Sequence, residues 1–466
     1  MRTIAALVPL AVLLAACSAS PGAERGSTSS PTTETSTTVP STTTTTAAGL
    51  PFPPAPPVGL GPLASDVADV IDQIWSGLPE TVDTDGIRRL GQSGDARVAW
   101  LIADLLRFAG AGDILRASTD AMVPLTGVEF SERGAWVAVT DHLIAWDTPE
   151  PPGYLDYKRR LFTLIDERWE FVFVEPNDID MRYLSWGGVL IDDRPLGDTA
   201  PCARGCIPAL DDPAVTDAAG GGWYPDDAMV FGVVVNGEAR AYPKNVMEIH
   251  EMVNDTLGGR RFGMPYCTLC ASAQVFFTDD VSGFETPVLR TSGLLSRSNK
   301  VMYDLVSRSV FDTFTGAAVT GPLFEAGVAL EQAGVITATW GEWKAAHPET
   351  TIVAEDGGIG RVYDPDPLAG RDDNGPIFPI GDRDLRLPSQ EQVLGVILPD
   401  GTPVAFPAAA ARDVLGRGEA VSLGGVEVVL DAGGLRATLE GAPLPSHQAF
   451  WFAWSQFHPD TLLWSP

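Results

Sequence analysis

The sequence predicts an α+β protein, with a mostly helical N-terminal domain followed by a β-rich, internally duplicated C-terminal region. Three observations carry this. Apolar residues recur at helical spacing between residues 65 and 106. From Gly187 onward, short β-prone runs alternate with clusters of Gly, Pro, Asn and Asp. Three segments of that later region are echoed further along the chain. At 466 residues, 45% hydrophobic and 20% charged, the chain has enough apolar sequence for two or three folded units. A formal charge of −30 excludes nucleic acid as a partner and describes a solvated acidic surface.

Residues 1–17 read MRTIAALVPLAVLLAAC. Arg2 precedes an apolar run too short for a lasting membrane span. The ending Leu14-Ala15-Ala16-Cys17 resembles a bacterial lipoprotein signal, in which cleavage leaves a lipid-bearing cysteine as the first residue. Lipid on Cys17 would anchor the protein to the membrane and make the rest extracytoplasmic, where disulfides persist. The alternative is an ordinary secretory signal with an incidental cysteine. An envelope protein or a metal ion is the further partner class that this address leaves open. Residues 18–59 are rich in Ser, Thr and Pro, a composition that cannot bury a core and reads as a disordered stalk.

The helical domain is expected over residues 60–192. Ser65 is a candidate N-cap for a helix that puts Val67, Val70, Ile71 and Ile74 on one face. Asp95 opens a second, carrying Val98, Leu101, Ile102, Leu105 and Leu106, with Gly110 as its stop. This piece also resembles one unit of a HEAT-type repeat, but a packed helical domain accounts for it. His142 reads as a structural or surface residue.

Residues 193–385 form the first expected β-rich repeat. GGVLIDDRPL, MVFGVVVNGEARAYP and RRFGMPYC read as short strands, and Asn236-Gly237 as a two-residue hairpin turn. A short helix between them ends near His250. Cys267 and Cys270 then sit in a tight turn between two apolar strands. A CxxC turn holds two sulfurs close enough to share a metal ion or to form a reducible disulfide. Of the five cysteines, Cys202 and Cys206 remain; a local disulfide or pairing with Cys267 and Cys270 both stay open.

The second, shortened repeat is expected over residues 386–466. VFGVVVNGEARAYP is echoed by VLGVILPDGTPVAFP, TLGGRRFGMPYC by SLGGVEVVLDAG, and TATWGEWKAAHPET by QAFWFAWSQFHPDT. The second copy is expected to lack both cysteines and the helix bearing His250. Trp340, Trp343, Trp451 and Trp454 read as core packing, with a binding cleft as the alternative. His347 and His458, each before Pro, read as caps.

Several of these segments resemble the domain of unknown function 3179, a bacterial and archaeal family. They are NGEARAYP from Asn236, HEMVNDTLGG from His250, YCTLC from Tyr266, SGLLSRSNKVMYD from Ser292, and the Trp340–Thr350 element. The resemblance runs from about Ile207 to the C-terminus. It implies positions and no reaction: His250, Glu251, Asn254, Asp255, Tyr266, Cys267, Cys270, Ser292, Ser298, Tyr303 and Asp304. Ala271 stands where the family usually has Gly, Ser296 where it has Tyr, and Asn299 where it has Asp.

Around this constellation, Cys267, Cys270 and His250, with Met302 or Met264 in reserve, would suit copper or zinc. Without a metal, the same cysteines and histidine are candidates for thiol–disulfide exchange. The CxxC opens no helix after a strand, which sets it apart from thioredoxin-like motifs. The competing readings are a structural disulfide in a surface binding or scaffold protein, and a hydrolase using Ser292 or Ser298 with His250. No nucleophile-elbow pattern surrounds either serine.

Overall fold

The N-terminal part of the chain folds as helices because its apolar residues recur with a 3.6-residue period, and the later part as strands because its apolar runs are short, β-prone and bounded by turn residues. The structure, a computed structural model, describes residues 54–372 and 374–466. The expected signal peptide, Cys17 and most of the stalk lie outside the described residues. Six α-helices come first, Ser65–Gly77, Thr84–Gly91, Ala99–Phe108, Asp113–Thr126, Ala135–Trp146 and Tyr154–Ile165. Ala99–Phe108 is the central one: every residue from Ala99 to Leu106 is buried, so its apolar pattern wraps right round rather than marking one face. The Asp95 carboxylate caps the short turn leading into it by accepting the Arg97 N–H. Ser65 is already helical and makes no side-chain cap, because the chain turns helical one residue earlier than a serine cap requires. His142 is buried between Phe130 and Trp146, a structural position.

Among the described residues five small sheets follow, of five, six, five, four and four strands, the sixth strand of the second lying off its main path. The α+β expectation holds. The helical core, however, also takes in Leu294, Val301, Tyr303 and Val310 from the first sheet, so helices and sheet share one apolar interior. The expected strand GGVLIDDRPL is largely unpaired extended chain. Its Asp192 side chain instead holds Arg194 at 2.7 Å and accepts the Ala209 N–H at 2.8 Å, so its groups are committed to an ionic crossing.

Two sheets place their parts alike. In one, Ile336–Thr339 pairs with Met229–Val235, which pairs through the Asn236-Gly237 turn with Glu238–Pro243; Thr351–Val353 lies parallel beyond it. In the other, Ser446–Phe450, Gln392–Ile397, Pro403–Pro407 and Leu462–Leu463 follow the same order and directions. Each places a tryptophan over a glycine: a Cβ on Gly232 would stand 2.2 Å from Trp343, and one on Gly395 2.0 Å from Trp454. Trp343 donates its indole N–H to Thr350 and Trp454 to Thr461, each at 2.9 Å. His347 and His458 are the C-caps of the two tryptophan helices. All four tryptophans Trp340, Trp343, Trp451 and Trp454 are buried. One expectation is corrected. The helix Lys244–His250 after Pro243 has a counterpart, Ala408–Gly416 after Pro407, because Pro at the strand end pre-sets the turn into a helix in both.

Candidate functional site

The strand Arg260–Cys267 is buried on both faces from Phe262 onward, and it delivers Cys267 at its end. A tight turn follows, closed by the Cys270 N–H donating to the Cys267 carbonyl, and the chain returns as Ser272–Ala273. Ala271 sits in that turn at φ +47°, the left-handed region that costs an L-residue about 1–2 kcal/mol, where the resembled family has glycine. The two Sγ atoms stand 2.7 Å apart and both residues are buried. That is well inside ordinary non-bonded sulfur contact.

A second hairpin cradles the pair. Leu289–Ser296 and Asn299–Asp304 are joined by Arg297 and Ser298 at φ +50° and +59°. This tip presents the Ser298 carbonyl 3.5 Å and the Asn299 Oδ1 3.2 Å from Cys270 Sγ, while the Lys300 N–H donates to Cys267. The Lys300 ammonium donates to the Glu251 carbonyl at 2.6 Å and pairs with its carboxylate at 2.9 Å. Thr268, between the cysteines, donates to the other Glu251 oxygen at 2.8 Å.

These partners polarise the pair. Burial pushes both thiols up. At Cys267 the Cys270 thiol, the Lys300 N–H and the Lys300 charge together outweigh burial and the opposing Glu251 charge, so Cys267 lies below its ordinary range. At Cys270 burial, the bond to Cys267 and that neighbour's negative charge all act upward. One sulfur is thus disposed to be a thiolate and the other a thiol.

A covering segment closes the site. Arg371 donates to the Thr268 carbonyl, and Ser298 to the Pro379 carbonyl. The Ile380 and Gly381 N–H groups both donate to Asp141 of the helical part at 2.7 Å. Ile380 packs in one apolar cluster with Cys267, Cys270, Phe450 and Trp454.

The other sequence-derived candidates lie elsewhere. His250 does not join the cysteines: its Nδ1–H donates to the Pro208 carbonyl at 2.7 Å, which leaves Nε2 to accept the Tyr363 hydroxyl at 2.8 Å. It lines a cleft of about 440 Å³ with Arg194 and Arg361. Burial above all holds its pKa down at about 4; the Pro208 hydrogen bond opposes this, and the charges of Arg361 and Arg194 add to it. Met302 packs against Met252, Phe276 and Phe311, and Met264 against Phe262 and Tyr266. Among the described residues no three His, Cys, Asp or Glu side chains are grouped to hold a metal ion. The copper or zinc set of Cys267, Cys270, His250 and Met302 is therefore not assembled, because the imidazole and the thioether are committed to other neighbours.

Asn254 and Asp255 are structural: Asn254 spans Asp211 and Leu289, and Asp255 accepts from Arg240 and Tyr242. Tyr266 packs on Phe231, Tyr303 donates to the Asp192 carbonyl, and Asp304 accepts the N–H groups of Val288, Val306 and Ser307. Ser292 donates to Val301 at 2.5 Å, so neither it nor Ser298 meets His250. Cys202 and Cys206 form a local disulfide. Sequence reasoning missed Lys300, Thr268, Arg371 and Asp141. The one available signal was Lys300, a charge directly before the apolar run Val301-Met302-Tyr303.

No curated protein and no solved structure matches the chain. A family model described as protein of unknown function (DUF3179) matches residues 204–437. That stretch holds the cysteine turn, its cradling hairpin, the covering segment and His250, and on that match the chain belongs to the DUF3179 family.

Proposed function

We propose that the protein is a cell-envelope lipoprotein whose Cys267–Cys270 pair exchanges between dithiol and disulfide with partner thiols. The observation that carries this is two touching sulfurs in unlike surroundings: the Cys270 thiol and then the Lys300 N–H favour a thiolate at Cys267, while burial and that neighbour hold Cys270 as a thiol. An attacking thiolate beside a resolving thiol is what exchange through a mixed disulfide requires. Lipid anchoring at Cys17 rests on the pattern of residues 1–17, and the Cys202–Cys206 disulfide suits an oxidising compartment. Partner proteins of the envelope are the natural substrates at that address. We also propose that the two similar sheets descend from one duplicated unit, on the strength of their shared strand order and Trp–Gly contacts.

The test is trapping. Cys270→Ser leaves the attacking sulfur and removes the resolving one, so it should accumulate a mixed disulfide at Cys267 with a small disulfide reagent. Cys267→Ser should accumulate none. A second reading, a structural pair in a binding scaffold, is favoured by burial, since Cys267 and Cys270 are 2% and 0% exposed. Under it, both variants lose stability and neither traps a partner.

A further inference from the structure

Asn299 is 1% exposed and begins the strand that leaves the strained tip at Arg297 and Ser298. Its Oδ1 is 3.2 Å from Cys270 Sγ, placed to accept the S–H, while its Nδ2 has no hydrogen-bond partner. A buried donor left unpaired is costly, and such a group in a native structure calls for a reason. An amide carries acceptor and donor on one flat group, and a half-turn about its last torsion exchanges them. Turned that way, Asn299 offers Cys270 an N–H, the partner a thiolate takes.

We propose that Asn299 is a positioning residue for the resolving sulfur, accepting the Cys270 S–H through Oδ1 in the full dithiol, where Cys267 donates its own S–H to Cys270, and donating through Nδ2 once the Cys270 sulfur is a thiolate. This deepens the thiol-exchange reading and rests on it. With a partner disulfide as oxidant, the Cys267 thiolate attacks one partner sulfur, breaks its S–S bond and releases the other as a thiolate. Cys270 gives its proton to that leaving thiolate and attacks the Cys267 sulfur, releasing the second partner thiolate. The protein loses two electrons and gains a disulfide; the partner becomes two thiols, the second taking its proton from water. The charges facing the pair during this exchange are those of Lys300, Glu251 and Arg371. A disulfide has no S–H to donate, so the Oδ1 contact favours the dithiol alone.

Two substitutions separate this from mere packing. Asn299→Asp keeps and strengthens the acceptor but has no donor; Asn299→Leu fills the space with neither. The full chain is equilibrated with reduced and oxidised glutathione and its disulfide fraction measured. Asn299→Asp should move the equilibrium about tenfold toward dithiol, about 30 mV, and Asn299→Leu about fivefold toward disulfide, about 20 mV. Both should slow closure of a Cys267 mixed disulfide. Shifts of one sign in both variants, or none, overturn the inference, and Asn299→Asp alone decides it if the leucine variant does not fold. A wild-type pair that exchanges with nothing overturns the thiol-exchange reading together with this inference. Normal wild-type exchange with an unmoved Asn299→Asp equilibrium overturns the inference alone.

Discussion

The sheet built on Met229–Val235 and the one built on Gln392–Ile397 share strand order, a Pro-initiated helix and a tryptophan seated on glycine, yet only the first leads into a cysteine pair. In the first, the Gly258-Gly259 hairpin runs on through Arg260–Cys267 into the cysteine turn. In the second, the Gly424-Gly425 hairpin runs through Val426–Asp431 into another strand. The second sheet nonetheless serves the first site: the Phe450 N–H donates to the Cys270 carbonyl at 2.8 Å, and Trp454 packs in the cysteines' cluster. The common scaffold is held by core contacts, and the difference lies in what its connections carry, which is where chemistry is usually added to a fold.

The comparison can be broken at its tryptophans. Trp343→Ala and Trp454→Ala should each destabilise by about 3–5 kcal/mol in denaturant titrations. Only Trp454→Ala should also speed alkylation of Cys267, because Trp343 belongs to a cluster without cysteines. Equal thiol reactivity in the two variants would show that the second sheet is no wall of the site. The glycines should come next. Gly232→Ala and Gly395→Ala force a methyl against an indole and should cost about 1–3 kcal/mol each, read as a lowered denaturation midpoint.

Acid should weaken both regions. Burial holds His250 and His458 at about 4, with the Pro208 hydrogen bond working against it at His250, and holds His447 at about 3 with the charge of His458 adding to the fall. An unfolded histidine titrates near 6.5. Between those values the unfolded chain binds more protons than the folded one, so stability should fall as pH drops from about 6.5 toward 4. Replacing His447 by Gln should flatten that slope in thermal melts; an unchanged slope would refute it. The smallest effect belongs to Ala271, whose positive φ glycine adopts freely. Ala271→Gly should stabilise by about 0.5–1 kcal/mol in denaturant titrations.

Much of the fold was legible because periodicity records burial. The helices, the Asn236-Gly237 hairpin and the strand pair around the cysteines all follow from it. Ser65 and the segment after Gly187 misled, since a capping residue type or a β-prone run does not say which polar partner the chain will meet. The site was half legible. Cys267 and Cys270 stood out by spacing, and Asn299 as a departure from the resembled family. His250 misled because its neighbour Glu251 meets the cysteine turn, while the His250 ring is held by Pro208 and Tyr363. Lys300 and Arg371 reach the turn and Asp141 holds the covering segment from remote parts of the chain, and only the packing of sheets, helices and covering segment brings them together.

The most direct measurement is the redox equilibrium of the Cys267–Cys270 pair in the folded wild-type chain, with thiols counted after alkylation across a graded glutathione buffer. The proposed exchange predicts a reversible two-electron transition without unfolding, abolished by Cys267→Ser. A pair that stays in one state across the whole range until the protein unfolds would contradict it and leave the cysteines a structural element of the turn.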